Sequence, residues 1–260
     1  MKDYHFIAGL PRSGSTLLCS ILNQNPDFKA THTSNLPGVV DEYLKNFSKF
    51  FEHYDKALLQ HRIDSSVEGL FRYFYKEENI VFDKDRGWTL LFPYIHKIFP
   101  QSRIIFPVRN IIDIFSSIEL QHRRTETFFY KSNLSFSVSN ERIKILFKSL
   151  ISSVLQALEE CLFRELMDKV LIVDYKSLVK DPHNTLDTIH SFLNYPKYQY
   201  DFNHIVSTAE ENNDGNLKYP HKVKSKLSYV THHNVLSASQ EEFLKEEIKP
   251  YKDLLGNSND

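Results

Sequence analysis

Residues 4–22, YHFIAGLPRSGSTLLCSIL, narrow the folds open to this chain more than any other segment does. Residues 4–8 form an apolar run of buried-strand length. The loop Gly9-Leu10-Pro11-Arg12-Ser13-Gly14-Ser15-Thr16 follows, and Leu17, Leu18, Cys19, Ile21 and Leu22 then continue in a helical pattern. Strand, tight loop and helix together leave backbone N–H groups pointing at one spot, where an anion is favoured. Residues 80–83, 103–108 and 170–174 repeat the short apolar run, with a shorter one at 28–31, and helical patterns lie between them. That alternation predicts an α/β fold: a central parallel sheet of about four to five strands, the middle layer of a three-layer sandwich with right-handed crossovers. Ligands of such sheets bind beyond the carboxyl ends of the strands. The 10–16 loop, Lys84 and Arg109 all fall there.

The loop spacing, Gly9-x4-Gly14-x-Thr16, is that of a P-loop, so the expected fold is P-loop NTPase-like. One position departs from the pattern. Ser15 stands where a nucleoside triphosphatase carries the lysine that serves the β- and γ-phosphates. A loop that offers Arg12, Ser13, Gly14, Ser15, Thr16 and Leu17 without that lysine suits a ligand with one 5′-phosphate and a different leaving group. The stretch PRSGSTLL resembles the 5′-phosphosulfate-binding loop of sulfotransferases that use 3′-phosphoadenosine 5′-phosphosulfate (PAPS).

A second segment, RIIFPVRNIIDIFSSI at 103–118, strengthens the resemblance. Arg109 ends an apolar strand, Asn110 is suited to cap the next helix, and Ser117 lies eight residues after the arginine. In the family such a pair grips the 3′-phosphate of the cofactor. A guanidinium gives phosphate a two-pronged, permanently charged contact. The Asp-Pro usual after this arginine is replaced by Asn110-Ile111. A third segment, VLIVDYKSLVKDPHNTLDTIHSFL at 170–193, resembles the family's strand, Tyr-Glu-x-Leu and Asp-Pro passage, with Lys176 in place of the glutamate; it would put Tyr175 near the adenine. A fourth, HKVKSK at 221–226, resembles a late basic loop that closes over the cofactor through Lys224 and Ser225. In motif style the chain is similar to protein-tyrosine, Golgi-type and bacterial carbohydrate sulfotransferases. The resemblance implies PAPS as cofactor, 3′,5′-ADP as product and no metal.

The composition is compatible with that reading. At 260 residues, with 41% hydrophobic and 25% charged residues, the chain is expected to be one globular domain over 1–260. A formal net charge of −1 argues against a general nucleic-acid or membrane binder and makes any basic surface local. Cys19 and Cys161 lie in apolar helical patterns and read as buried free thiols. Neither a secretory leader nor a membrane-spanning run is visible, so a cytoplasmic location is expected, although Golgi members of the family carry an anchor. The apolar stripe Ile143, Leu146, Phe147, Leu150, Ile151, Val154, Leu155, Leu158, Leu162 and Leu166 predicts one long helix over about 139–168. One or two helices rich in aromatics are expected over 37–77. Residues 121–137 and 200–225 are the least patterned and read as candidate acceptor loops.

Sulfuryl transfer requires in-line positioning, charge neutralisation on the leaving phosphate and a base for the acceptor. By resemblance Lys84, in VFDKDRGW, reaches the bridging oxygen as the sulfuryl group departs, and Arg12 assists. The base has no family carboxylate: protein-tyrosine members carry a glutamate after the second strand, where this chain reads KATHTS. His32 is the titratable group there, with Asp41, Glu42, Asp83 and Asp85 as competitors. Cytosolic members use a histidine two residues after the lysine; Arg86 occupies that place and cannot act as a base. The acceptor, a small molecule, glycan or peptide, is not legible. Two other readings stand beside this one: a P-loop nucleotide kinase or NTPase, and a relative that binds nucleotide without catalysis.

Overall fold

The computed structural model describes residues 2–51, 53, 55–125, 139–207, 223–232 and 234–255. Five strands are present: β1 (Asp3–Ile7), β2 (Phe28–Ala30), β3 (Ile80–Lys84), β4 (Ile104–Val108) and β5 (Val170–Asp174). They form one sheet in the order β2-β3-β1-β4-β5, and all the pairings are parallel. The strands lie within a residue of the ends expected from their apolar runs.

Helix α1 (Ser15–Leu22) follows β1; α2 (Leu36–Phe50) and α3 (Lys56–Phe74) join β2 to β3; α4 (Trp88–Ile98) joins β3 to β4. After β4 come α5 (Ile111–Thr125), α6 (Ser139–Phe147) and α7 (Ser153–Phe163), and after β5 come α8 (Tyr175–Lys180), α9 (Pro182–Leu193), α10 (Ala238–Ile248) and α11 (Lys252–Leu255).

Side chains alternate across each strand, and this divides the core in two. Tyr4, Phe6, Val81, Ile104, Phe106 and Val108 face one cluster with Val67, Phe71, Trp88, Phe92, Phe115 and Leu155. Ile7, Phe82, Ile105 and Val173 face the other, with Leu18, Cys19 and Ile21 of α1 and Leu186 and Ile189 of α9. The three layers are therefore helix, sheet and helix. Because α1 leaves β1 toward one face while α5 leaves β4 toward the other, a crevice opens between these adjacent strands, the site where such sheets bind ligands.

Two local findings refine the expectations. The stripe expected as one helix over 139–168 is α6, a π-helical turn at Lys148–Ser152 and α7, ending at Phe163. The chain then turns through Glu165, with φ 56°, into a 3-10 turn at Met167–Lys169. The wider π turn takes in an extra residue while Ile151, Val154 and Leu155 stay buried. Cys19 and Cys161 are buried free thiols.

Candidate active site

Each strand delivers one candidate to the same edge of the sheet. Residues 12–16 follow β1, His32 follows β2, Lys84 closes β3, Arg109 follows β4, and Tyr175 opens α8 directly after β5.

The loop after β1 is held in an unusual backbone shape. Gly9 has φ 139° and Gly14 φ 90°. A Cβ on Gly14 would stand 2.5 Å from Cδ2 of Tyr175, so both conformation and space require glycine there. Arg12 is left-handed too, at φ 59°, a conformation that costs a side-chain-bearing residue about 1–3 kcal/mol. Contacts offset that cost. Arg12 Nε donates to Ser117 Oγ at 3.0 Å, and its carbonyl accepts from Arg109 Nη1 at 3.3 Å. The Ser13 hydroxyl donates to the Leu10 carbonyl at 2.6 Å. Helix α1 starts with no side-chain cap and no acidic residue in its first turn. Among the described residues the N–H groups of Gly14, Ser15, Thr16 and Leu17 have no backbone acceptor. The positive end of α1 is thus open toward the crevice.

Arg109 is buried beside this loop. Its Nη2 donates to the Val230 carbonyl at 2.5 Å, its ion pair with Asp113 spans 3.7 Å, and its guanidinium lies 4.6 Å over the Tyr175 ring. Its buried Nε has no hydrogen-bond partner among the described residues. The Arg12 pKa is depressed, first by burial and then by the like charge of Arg109. Two neighbouring guanidinium groups with one carboxylate, Asp113, paired to Arg109 form a site short of negative charge. A phosphate fits that deficit and supplies an acceptor for Arg109 Nε.

Lys84 points toward α1. Its Nζ donates to the His32 carbonyl, reaches Thr33 Oγ1 at 3.3 Å, and stands 3.5 Å from Thr16 Oγ1. Burial depresses its pKa. In P-loop NTPases the corresponding hydroxyl faces Mg2+; here an ammonium stands beside it. His32 is itself buried, at 5% exposure.

The competing carboxylates have other engagements. Asp83 lies on the opposite face of β3, fully buried, and accepts from Tyr75 Oη at 2.5 Å and Trp88 Nε1 at 2.8 Å. Burial pushes its pKa up to about 6, against the lowering effect of hydrogen bonds from Ser34, Tyr75 and Trp88. Asp85 Oδ1 accepts from the Gly87 N–H at 2.9 Å, Glu42 from Asn46 at 3.0 Å, and Asp41 pairs with Lys45 on the exposed side of α2.

The structure therefore brings Arg12, Ser13, Gly14, Ser15, Thr16, Arg109, Ser117 and Tyr175 to one crevice, with Lys84 and His32 beside it. Lys224 and Ser225 belong to the nearby 223–232 segment but contact other groups: Lys224 Nζ donates to Ser228 Oγ at 3.1 Å, and the Ser225 carbonyl accepts from Ile205. Tyr229 and Val230 of that segment reach the crevice instead, the Tyr229 ring 5.7 Å from that of Tyr175. His221 and Lys222 lie outside the described residues. Sequence reasoning missed Tyr229, Val230 and Thr33. It also missed Asp113, for which the i,i+4 spacing from Arg109 was a usable signal.

Comparison with known proteins agrees with this geometry. The model of the sulfotransferase family matches residues 5–200, and the chain belongs to that family. Protein-tyrosine sulfotransferase 1 of Danio rerio is 26% identical over 203 residues, covering 74% of this chain and 53% of that protein. The chain thus spans about half the length of this curated relative. The sulfotransferase domain of the Synechococcus PCC 7002 olefin synthase aligns over 95% of this chain and 96% of its own, at 18% identity and a TM-score of 0.55. A mouse sulfotransferase solved with PAP aligns over 97% of this chain and 86% of its own, at 16% identity and a TM-score of 0.51. At these identities the structural likeness is one of fold. Among the described residues no helix is long and apolar enough to cross a membrane.

Proposed function

We propose that this chain transfers a sulfuryl group from PAPS to a hydroxyl or amine of an acceptor and releases 3′,5′-ADP. The observation that supports the reading is the pairing of Arg12 with Arg109 and Ser117 beside an open helix start, a crevice in which two phosphates would lie side by side. When bound, PAPS supplies an activated sulfuryl group and a phosphate leaving group.

The residues divide into those that hold and those that act. Arg12 and the N–H groups of Ser13, Gly14, Ser15, Thr16 and Leu17 hold the 5′-phosphate. Arg109 and Ser117 hold the 3′-phosphate. Tyr175 lies along the nucleoside, and the segment carrying Lys224 and Ser225 closes over it. Lys84 would neutralise the charge that the leaving 5′-phosphate gains when PAPS gives up its sulfuryl group to the acceptor hydroxyl or amine. His32 takes the acceptor proton. Its backbone carbonyl accepts from Lys84 Nζ, which holds the cation beside the base.

Titration calorimetry with 3′,5′-ADP tests the reading. Binding without added metal that Arg109→Ala weakens by about 10–100-fold is the expected result. Preference for ATP with Mg2+, indifferent to Arg109, overturns it in favour of a nucleotide kinase. If His32→Ala keeps wild-type turnover at unchanged 3′,5′-ADP affinity, His32 is not the base.

A further inference from the structure

A phosphate that grips Arg109 meets a carboxylate already beside it. The arginine is buried, and its Nη1 donates to the Arg12 carbonyl at 3.3 Å and its Nη2 to the Val230 carbonyl at 2.5 Å. The side-on fork of a guanidinium pairs Nε with Nη2. Nε is the donor with no partner among the described residues, so an anion that takes it reaches Nη2 next. Asp113 Oδ2 stands 3.7 Å from that same Nη2, too far for a hydrogen bond and near enough for a Coulomb attraction.

Asp113 is fixed in that place. It lies one turn after Arg109 in α5 and is buried. Its N–H and that of Ile112 donate to Asn110 Oδ1 at 3.3 Å and 2.9 Å, and its Oδ1 accepts from the His232 N–H at 3.3 Å. The carboxylate thus ties the helix that carries Ser117 to the segment that carries Tyr229 and Val230. Arg109 is its ion-pair partner among the described residues. Two effects of opposite sign follow. Without nucleotide, Asp113 balances a buried cation that is costly to leave unpaired. With nucleotide, the same negative charge stands near the phosphate on Arg109 and repels it.

We propose that Asp113 sets how tightly the 3′-phosphate is held: it is a counter-ion with which that phosphate competes for Arg109, and it keeps the product 3′,5′-ADP releasable. This rests on the sulfotransferase reading, with Arg109 on the 3′-phosphate. Asp113 acts through Arg109 and touches no reacting atom, so it is a positioning residue. Its charge, not its shape, carries the effect. An asparagine there can still accept from the His232 N–H through its amide oxygen. The influence is confined to ligands that bear a 3′-phosphate.

The test is titration calorimetry with 3′,5′-ADP and with 5′-AMP, which lacks the 3′-phosphate, on the wild type and Asp113→Asn. The variant is expected to bind 3′,5′-ADP about tenfold more tightly, because a like charge beside the phosphate is gone. It is expected to bind 5′-AMP as the wild type does. Its melting temperature without nucleotide is expected to fall, because Arg109 has lost its counter-ion. Affinity and stability then move in opposite directions, whereas a merely structural role lowers both. Asp113→Ser, also neutral, is expected to repeat the result and takes over if Asp113→Asn does not fold. Asp113→Glu keeps the charge and is expected to restore the wild-type ratio of the two nucleotides. Weaker or unchanged 3′,5′-ADP binding in a folded neutral variant, or an equal change for both nucleotides, overturns the role of Asp113 and leaves the sulfotransferase reading standing. Failure of both neutral variants to fold makes Asp113 a requirement of the fold and overturns it too. Failure of the wild type to bind 3′,5′-ADP overturns the sulfotransferase reading, and the proposal with it.

Discussion

Arg12 Nε donates to the Ser117 hydroxyl at 3.0 Å, across 105 residues of sequence. A residue of the loop after β1 thereby touches a residue of the helix after β4, so the two proposed phosphate subsites share a bond. Ser117→Ala removes this bond and one phosphate ligand. It is expected to weaken 3′,5′-ADP by about fivefold, the worth of one net hydrogen bond. Arg109→Ala removes a charged, buried ligand and is expected to cost about 10–100-fold. Calorimetry on the two variants checks the order, and a larger loss for Ser117→Ala would contradict the assignment.

Gly14→Ala puts a Cβ into the Tyr175 ring and an alanine at φ 90°. The expected cost is about 1–3 kcal/mol, a fall in melting temperature of several degrees for a chain of this size, together with loss of 3′,5′-ADP binding. Tyr175→Ala in the same chain relieves the steric part and leaves the backbone part. A double variant no more stable than Gly14→Ala would show that the ring is not what excludes a side chain there.

Asp83 links stability to pH. Its pKa rises from 3.8 to about 6 in the folded chain, so the folded state binds the proton more tightly than the unfolded one. Its contribution is fully present below pH 3.8 and is lost as the pH rises through about 6. The full difference is about 3 kcal/mol, from 1.36 kcal/mol per unit. Asp83→Asn cannot titrate. The stability of the wild type minus that of Asp83→Asn, read from urea melts, is expected to fall between pH 4 and pH 6 and then to level off. A flat difference would rule out a proton on Asp83.

Burial pushes the thiol of Cys19 up to about 12 and that of Cys161 up to about 11. Both are expected to resist a disulfide reagent at pH 8 in the native chain and to react within the mixing time in denaturant, since the thiolate is the nucleophile. Fast labelling of Cys19 in the native state would contradict its burial on the inner face of α1.

The legible part of this molecule is what a local pattern can carry. The run VLIVD reads as β5 because a short apolar run bounded by helical patterns is a local signal. Arg12, Gly14 and Arg109 could be chosen because loop chemistry and spacing are local. The π turn at Lys148–Ser152 was not legible, because an apolar stripe tolerates one added residue without losing its buried face. Tyr229 and Val230 were not legible either. Their place against Tyr175 and Arg109 depends on how a loop with no regular pattern folds back over 50 or more residues. Lys224 and Ser225 are expected from the resemblance of HKVKSK to a late basic loop, and a loop resemblance does not say which residue turns inward.

The strand order has a further consequence. Everything proposed to hold the nucleotide hangs from β1, β4 and β5, while His32, Thr33, Lys84 and Arg86 hang from β2 and β3. The seam between these halves is the single pairing of β1 with β3, five residues in register. Residues 31–37 and 84–87 are therefore a transplantable cassette. Exchanging them for the matching turns of another sulfotransferase would retarget the chain to a new acceptor while its grip on the nucleotide stayed in place.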